Sequence, residues 1–151
     1  MSLKKKGPAR QRPKSKYRQL AHTADLGLRI WGGSQEELFE NAAAALIATM
    51  TDRRRLTPRE EREIMVEALD REALLVTWLN HLLYLYDVEG FLGRDFEILT
   101  LTEERLTART RGEIFDPSRH VGKRAVKAAT YHHLEISPQD QGWRATVILD
   151  L

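Results

Sequence analysis

An α+β fold, with two helices packed on one face of a mostly antiparallel β-sheet in a single domain, is the architecture this sequence predicts. Three observations carry the prediction. Two segments place apolar residues at helical spacing, and several others alternate apolar and polar residues with a period of two. The elements run strand, helix, strand, helix, then four strands. The late strands follow one another through short connections, which suit antiparallel pairing and helices gathered on one face. A length of 151 residues fits one domain, and a chain of this size buries about 70% of the surface its unfolded form exposes.

Leu26, Leu28 and Ile30 alternate with Gly27 and Arg29, which predicts a strand, and residues 17–20 can pair beside it. Gly32-Gly33 ends that strand. Ser34 stands three residues before Glu37, the spacing of a capping box that satisfies the free amides of a helix start. The helix that follows sets Leu38, Ala42, Ala45, Leu46 and Met50 on one face. Its alanine run, residues 42–45, lets a sheet approach closely. Residues 52–62 are polar, contain Pro58 and predict a loop; residues 63–69 alternate as a strand. Asp70 caps the next helix, whose stripe of Leu74, Leu75, Trp78, Leu79, Leu82, Leu83 and Tyr86 is the clearest pattern in the chain. Gly90 stops it. Strands are predicted over 96–101, 106–112, 126–136 and 143–149, with Pro138 and Gly142 framing the last turn.

Charge is distributed unevenly. Seven of the 24 Lys and Arg residues lie in residues 1–16, which contain no acid. The other 135 residues carry 17 basic and 22 acidic side chains, a net of −5. Residues 1–16 therefore read as a disordered basic tail, and residues 17–151 as an acidic folded domain. A basic arm fits a polyanion or serves only as a solubilising leader. There is no cysteine, which excludes a disulfide scaffold, a thiol nucleophile and Cys-ligated zinc. No apolar run reaches the roughly 18 residues of a membrane span, and no apolar core follows the basic N-terminus as a secretory signal requires. Phosphate-binding P-loop, dinucleotide, HExxH and GxSxG signatures are absent. A free-standing hydrolase or phosphotransferase thus lacks a recognisable nucleophile or base constellation.

Four features can carry chemistry. His22-Thr23-Ala24-Asp25 lies between two candidate strands, and a carboxylate there can hold a hard cation, although a lone Asp is more often a turn or cap residue. At the C-terminus, Asp150 and the carboxylate of Leu151 are adjacent. Either they face water or a cation with oxygen ligands, calcium or magnesium, neutralises them. The terminal strand brings Asp150 to Asp25 if it lies beside the second strand. In residues 126–133, alternation places Lys127, Ala129, Tyr131 and His133 on one face and His132 on the other. Lys127 can bridge carboxylates, bind phosphate or simply face solvent, and His132-His133 makes a poor zinc site. Residues 111–124 form a polar connection, a lid or a surface loop, whose Arg119, Lys123 and Arg124 can meet an acidic partner. Trp31, Trp78 and Trp143 are too scattered in sequence for a stacking platform, and Trp78 reads as core.

Taken in order, these residues resemble the archease family. The resemblance rests on His22-Thr23-Ala24-Asp25, Glu37-Leu38-Phe39-Glu40-Asn41-Ala42-Ala43, Leu74-Leu75-Val76-Thr77-Trp78-Leu79, Gly112-Glu113, Val126-Lys127-Ala128-Ala129-Thr130-Tyr131-His132 and the closing Asp150-Leu151. It spans residues 17–151; Ala129 stands where Val is common, a small apolar change. The resemblance implies a non-catalytic activator of the RNA-splicing ligase that joins 3′-phosphate or 2′,3′-cyclic phosphate ends to 5′-hydroxyl ends in tRNA splicing. Such an activator promotes guanylylation of the ligase histidine, supports multiple turnover and widens nucleotide use. It also implies a metal site of Asp25, Asp150 and Leu151, with calcium first and magnesium or manganese as alternatives, and a functional Lys127 beside Asp25 and Asp150. The implied partner is the ligase, with RNA met only indirectly, no membrane, and a cytoplasmic location. The alternative reading is an RNA-binding or chaperone-like module acting through the basic tail.

Overall fold

The structure, a computed structural model, describes residues 16–21 and 25–151. Of the predicted tail over 1–16, residues 1–15 lie outside the described residues, as do the motif residues His22, Thr23 and Ala24. The elements are β1 (Tyr17–Ala21), β2 (Asp25–Gly32), α1 (Gln35–Met50), a 3-10 turn (Arg53–Arg55), β3 (Glu60–Glu67), α2 (Arg71–Glu89), β4 (Phe91–Leu101), β5 (Arg105–Ile114), β6 (Ala128–Gln139) and β7 (Gly142–Asp150).

The α+β class and the element order are as the sequence predicts, but the strands divide into two antiparallel sheets. One has the order β1-β2-β7-β6 and the other β3-β5-β4. Helix α1 touches β2 and β7 of the first sheet and β4 of the second; α2 touches β6 of the first and all three strands of the second. Burial along α1 explains the division. From Asn41 to Ile47 every residue is buried, so the helix needs cover from more than one side, and the alanine run makes room for it. The expected face of Leu38, Ala42, Ala45, Leu46 and Met50 is buried with the rest.

Both helix starts use the predicted caps. The Ser34 hydroxyl accepts the Glu37 N–H at 3.1 Å, and the Glu37 carboxylate reaches back to the N–H of Gly33, one residue before the cap. Loss of a Ser cap costs about 1 kcal/mol. Ser34→Ala is therefore expected to lower the melting temperature by about 2–4 °C, measured by circular dichroism. Asp70 accepts the Ala73 N–H at 2.8 Å at the start of α2. The α2 stripe is core: Leu74, Leu75, Trp78, Leu79, Leu82 and Leu83 are buried. The Trp78 indole N–H donates to the Phe39 carbonyl at 3.0 Å, which satisfies its one polar group and ties the two helices together.

Boundaries shift where glycine or a bulge intervenes. Gly90, at φ +74, turns the end of α2 directly into β4, so that strand starts at Phe91 rather than at Phe96. A left-handed residue costs glycine little. Strand β6 carries a register shift between Thr130 and Glu135, with His133 at φ +54. The shift breaks the predicted alternation: the rings of His132 and His133 lie 4.0 Å apart instead of on opposite faces. No described helix is long and apolar enough to cross a membrane.

Candidate functional site

The register of β2 against β7 sets Asp25 directly opposite Asp150. Leu26 and Leu149, their neighbours, are buried in the core. By alternation both aspartates therefore stand on the sheet face turned away from the helices. Directly opposed residues on one face have Cβ atoms about 5 Å apart, and like charges so placed repel. Asp150 is exposed, whereas Asp25 is half-buried. One Asp25 carboxylate oxygen, Oδ1, is buried without a hydrogen-bond partner among the described residues. Leu151 follows Asp150 and packs half-buried against the core.

Lys127 comes to the same corner through its backbone. Its N–H donates to the Asp150 carbonyl at 2.7 Å, and the next residue, Ala128, stands opposite Asp150 across the β6–β7 pair. The Lys127 side chain is exposed. The β6 backbone is fixed there from α2. The Asn80 side-chain carbonyl accepts the Ala129 N–H at 2.8 Å, and its amide donates to the Ala129 carbonyl at 3.1 Å. Ala129 lies on an edge strand, so without Asn80 these two backbone groups would lack partners. The structure thus sets Asp25 opposite Asp150, with Leu151 next in the chain, and ties the Lys127 backbone to Asp150, although Asp25, Lys127 and Asp150 lie far apart in sequence. Asn80, which holds the start of β6 in place, lies on α2 outside its apolar stripe and carries no sequence signal of this contact.

The donor set fits a hard cation. Asp25 and Asp150 offer oxygen alone, and Asp25 Oδ1 has no hydrogen-bond partner among the described residues, which leaves an acceptor a cation could use. Among the described residues no group of three or more His, Asp or Glu side chains is gathered to hold a metal. Since calcium takes about 6–8 oxygens, most of its ligands would come from backbone carbonyls, water or a second molecule.

A second carboxylate is organised quite differently. Glu113, at the end of β5, is 2% exposed. It accepts from Arg119 at 2.7 and 3.3 Å, from the Thr57 N–H at 2.7 Å and from His120 Nε2 at 2.9 Å, and Arg59 lies 3.5 Å away. His120 Nδ1 accepts the Asp116 N–H at 2.8 Å, so the ring is the neutral Nε2–H tautomer and donates to Glu113. The Arg119 guanidinium, aided by the Thr57 and His120 hydrogen bonds, holds the Glu113 carboxyl at about 2 despite its burial. Every acceptor site is occupied, which marks a structural hub. A cleft of about 350 Å³ lies over it, away from Asp25 and Asp150, lined by Arg59, Glu113, Phe115 and Arg119.

The connection over residues 115–127 is correspondingly anchored. Thr51 pairs with Gly122, the Thr51 hydroxyl donates to Val121, and the Lys123 and Arg124 N–H groups bond the last carbonyls of α1. Arg119, expected to be available to an acidic partner, is instead committed to Glu113 and Asp116. Spacing in the sequence does not show this, because the buried acid precedes its partners by six and seven residues through an irregular loop.

Comparison with known proteins gives a consistent result. The sequence profile of the archease protein family matches residues 17–151. Protein archease of Methanosarcina barkeri is 37% identical over 139 residues, covering 89% of this chain and 95% of that protein. A solution structure of a Methanobacterium thermoautotrophicum protein superposes with a TM-score of 0.77 at 36% identity, covering 90% of this chain and 99% of that one. The crystal structure of a Thermotoga maritima archease, described as a possible chaperone, is similar in fold, with a TM-score of 0.61 at 23% identity over 87% of this chain and 94% of that one.

Proposed function

Since this chain belongs to the archease family, we propose that it is an accessory protein that activates the tRNA-splicing RNA ligase by promoting its guanylylation and multiple turnover. The observation that carries this reading is the register that sets Asp25 beside Asp150, with Leu151 and Lys127 at the same corner. Asp25 and Asp150, together with Leu151, would hold a divalent cation, calcium first. When bound, that cation offsets negative charge on phosphate oxygens. Guanylylation builds such charge at the nucleotide α-phosphate and on the departing pyrophosphate. Lys127, tied to Asp150 through its backbone, would supply a second positive group from its exposed side chain, and Asn80 fixes the start of β6 two residues further on. The chain itself supplies no nucleophile in this scheme; the ligase histidine does the chemistry, in the cytoplasm, with this protein as its partner.

Multiple-turnover joining of an RNA with a 2′,3′-cyclic phosphate end by the cognate ligase tests the reading. Lys127→Ala is expected to reduce the stimulation by this protein at least tenfold while leaving its fold unchanged by circular dichroism. Stimulation equal to that of the wild type would remove Lys127 from the mechanism. Cation binding has its own readout. Calcium at about 100 times its dissociation constant stabilises a protein that binds it only when folded by about 2.7 kcal/mol. The melting temperature of the wild type should therefore rise with calcium, and that of Asp25→Asn should not.

A further inference from the structure

The face of the first sheet that carries Asp25 and Asp150 changes character along its strands. At the acidic end stand the two aspartates. Two residues further along each strand, Gly27 lies between Leu20 and Ile148, an apolar strip outside the main core cluster. Beyond it the face turns basic: Arg18 stands directly opposite Arg29, and Arg144 directly opposite Trp31. The Trp31 N–H donates to the carbonyl of Lys16, so Lys16, just before β1, adjoins this same corner.

These arginines differ from those of the second sheet. There, Arg62, Arg94, Arg105, Arg109 and Arg111 are all ion-paired. Among the described residues Arg18, Arg29 and Arg144 form no ion pair or side-chain hydrogen bond, and the Nε atoms of Arg29 and Arg144, like that of the ion-paired Arg109, are buried with no acceptor. Glu135, on the edge strand opposite Thr146, bonds none of them. Two opposed arginines repel, and a buried donor without an acceptor is costly. An anion laid along the face relieves both. Among the described residues no helix or strand covers it, because the contacts of this sheet with helices are made through its other side.

We propose that this basic face binds single-stranded nucleic acid, with Arg18, Arg29 and Arg144 on phosphates and Trp31 stacked on a base. The half-buried Trp31 beside Arg144 favours nucleic acid over an acidic protein segment, since an aromatic surface next to guanidinium groups suits an unpaired base. The inference goes beyond the ligase reading, in which RNA is met only through the partner, and does not depend on it.

Fluorescence anisotropy of a labelled short oligouridylate, titrated with the full chain over a salt series, tests the proposal. Each phosphate contact on a single strand contributes about 0.7 to the slope of log affinity against log salt. The double variant Arg29→Ala/Arg144→Ala should bind at least tenfold more weakly at fixed salt, with a slope shallower by about 1.4. Trp31→Leu should weaken binding about tenfold or more and leave the slope unchanged. Arg29→Lys/Arg144→Lys should retain the slope, which separates lost contacts from a disturbed sheet. Arg111→Ala, on the other sheet, should bind as the wild type does. The proposal is overturned if the wild type does not bind at low salt, if the double alanine variant matches the wild type in affinity and slope, which would assign binding to residues 1–15, or if polyglutamate competes as well as RNA.

Discussion

Glu113→Gln lowers the stability of the folded chain by about 3 kcal/mol at neutral pH, the scale of breaking one partner out of a buried charged network. The amide keeps one acceptor oxygen, enough for Thr57 or His120, but turns a donor toward the Arg119 guanidinium. Acid should reveal the same network in the wild type. The Glu113 carboxyl is held at about 2, against an ordinary value of 4.5. A carboxyl whose value is lowered on folding stabilises the native state fully above its unfolded value, and that contribution disappears as pH falls through the folded one. The wild type should therefore lose this stabilisation between about pH 4.5 and about pH 2, while Glu113→Gln, which has no charge to lose there, shows a flatter acid limb. Urea unfolding of both proteins at neutral pH and through this acid range measures the difference. Parallel pH profiles would contradict the assignment of Glu113 as the hub.

How much of this was legible in the sequence depends on the kind of contact. Ser34, Asp70 and Gly90 act on their own neighbours in the chain, so residue type and spacing reveal both helix starts and the end of α2. The α2 stripe announces Trp78 as core for the same reason. The two-sheet division is not legible, because it follows from α1 being buried on several sides, and an alanine-rich run has too little amphipathic contrast to show that. The Asp25–Asp150 pairing was open in the sequence and required the strand order β1-β2-β7-β6 to settle it. The Asn80 contact stayed hidden because it joins α2 to a strand 49 residues away, and the Glu113 network because it closes through an irregular loop. Trp31 and the three arginines of the first sheet look scattered in sequence; only the register aligns them.

Asp25→Asn keeps the size of the side chain and its place opposite Asp150 but removes one of the two opposed charges. Relieving that repulsion should leave the fold intact or slightly more stable, so a loss of function would not reflect unfolding. Stimulation of the ligase is expected to fall to the level of the ligase alone. The most direct measurement is single-turnover guanylylation of the cognate ligase, with and without this protein, comparing wild type with Asp25→Asn at matched complex formation. Guanylylation should be faster with the wild type, with none of that acceleration from the variant. Equal acceleration by both would contradict the carboxylate site, and no acceleration by either with an active ligase would contradict the activator role itself.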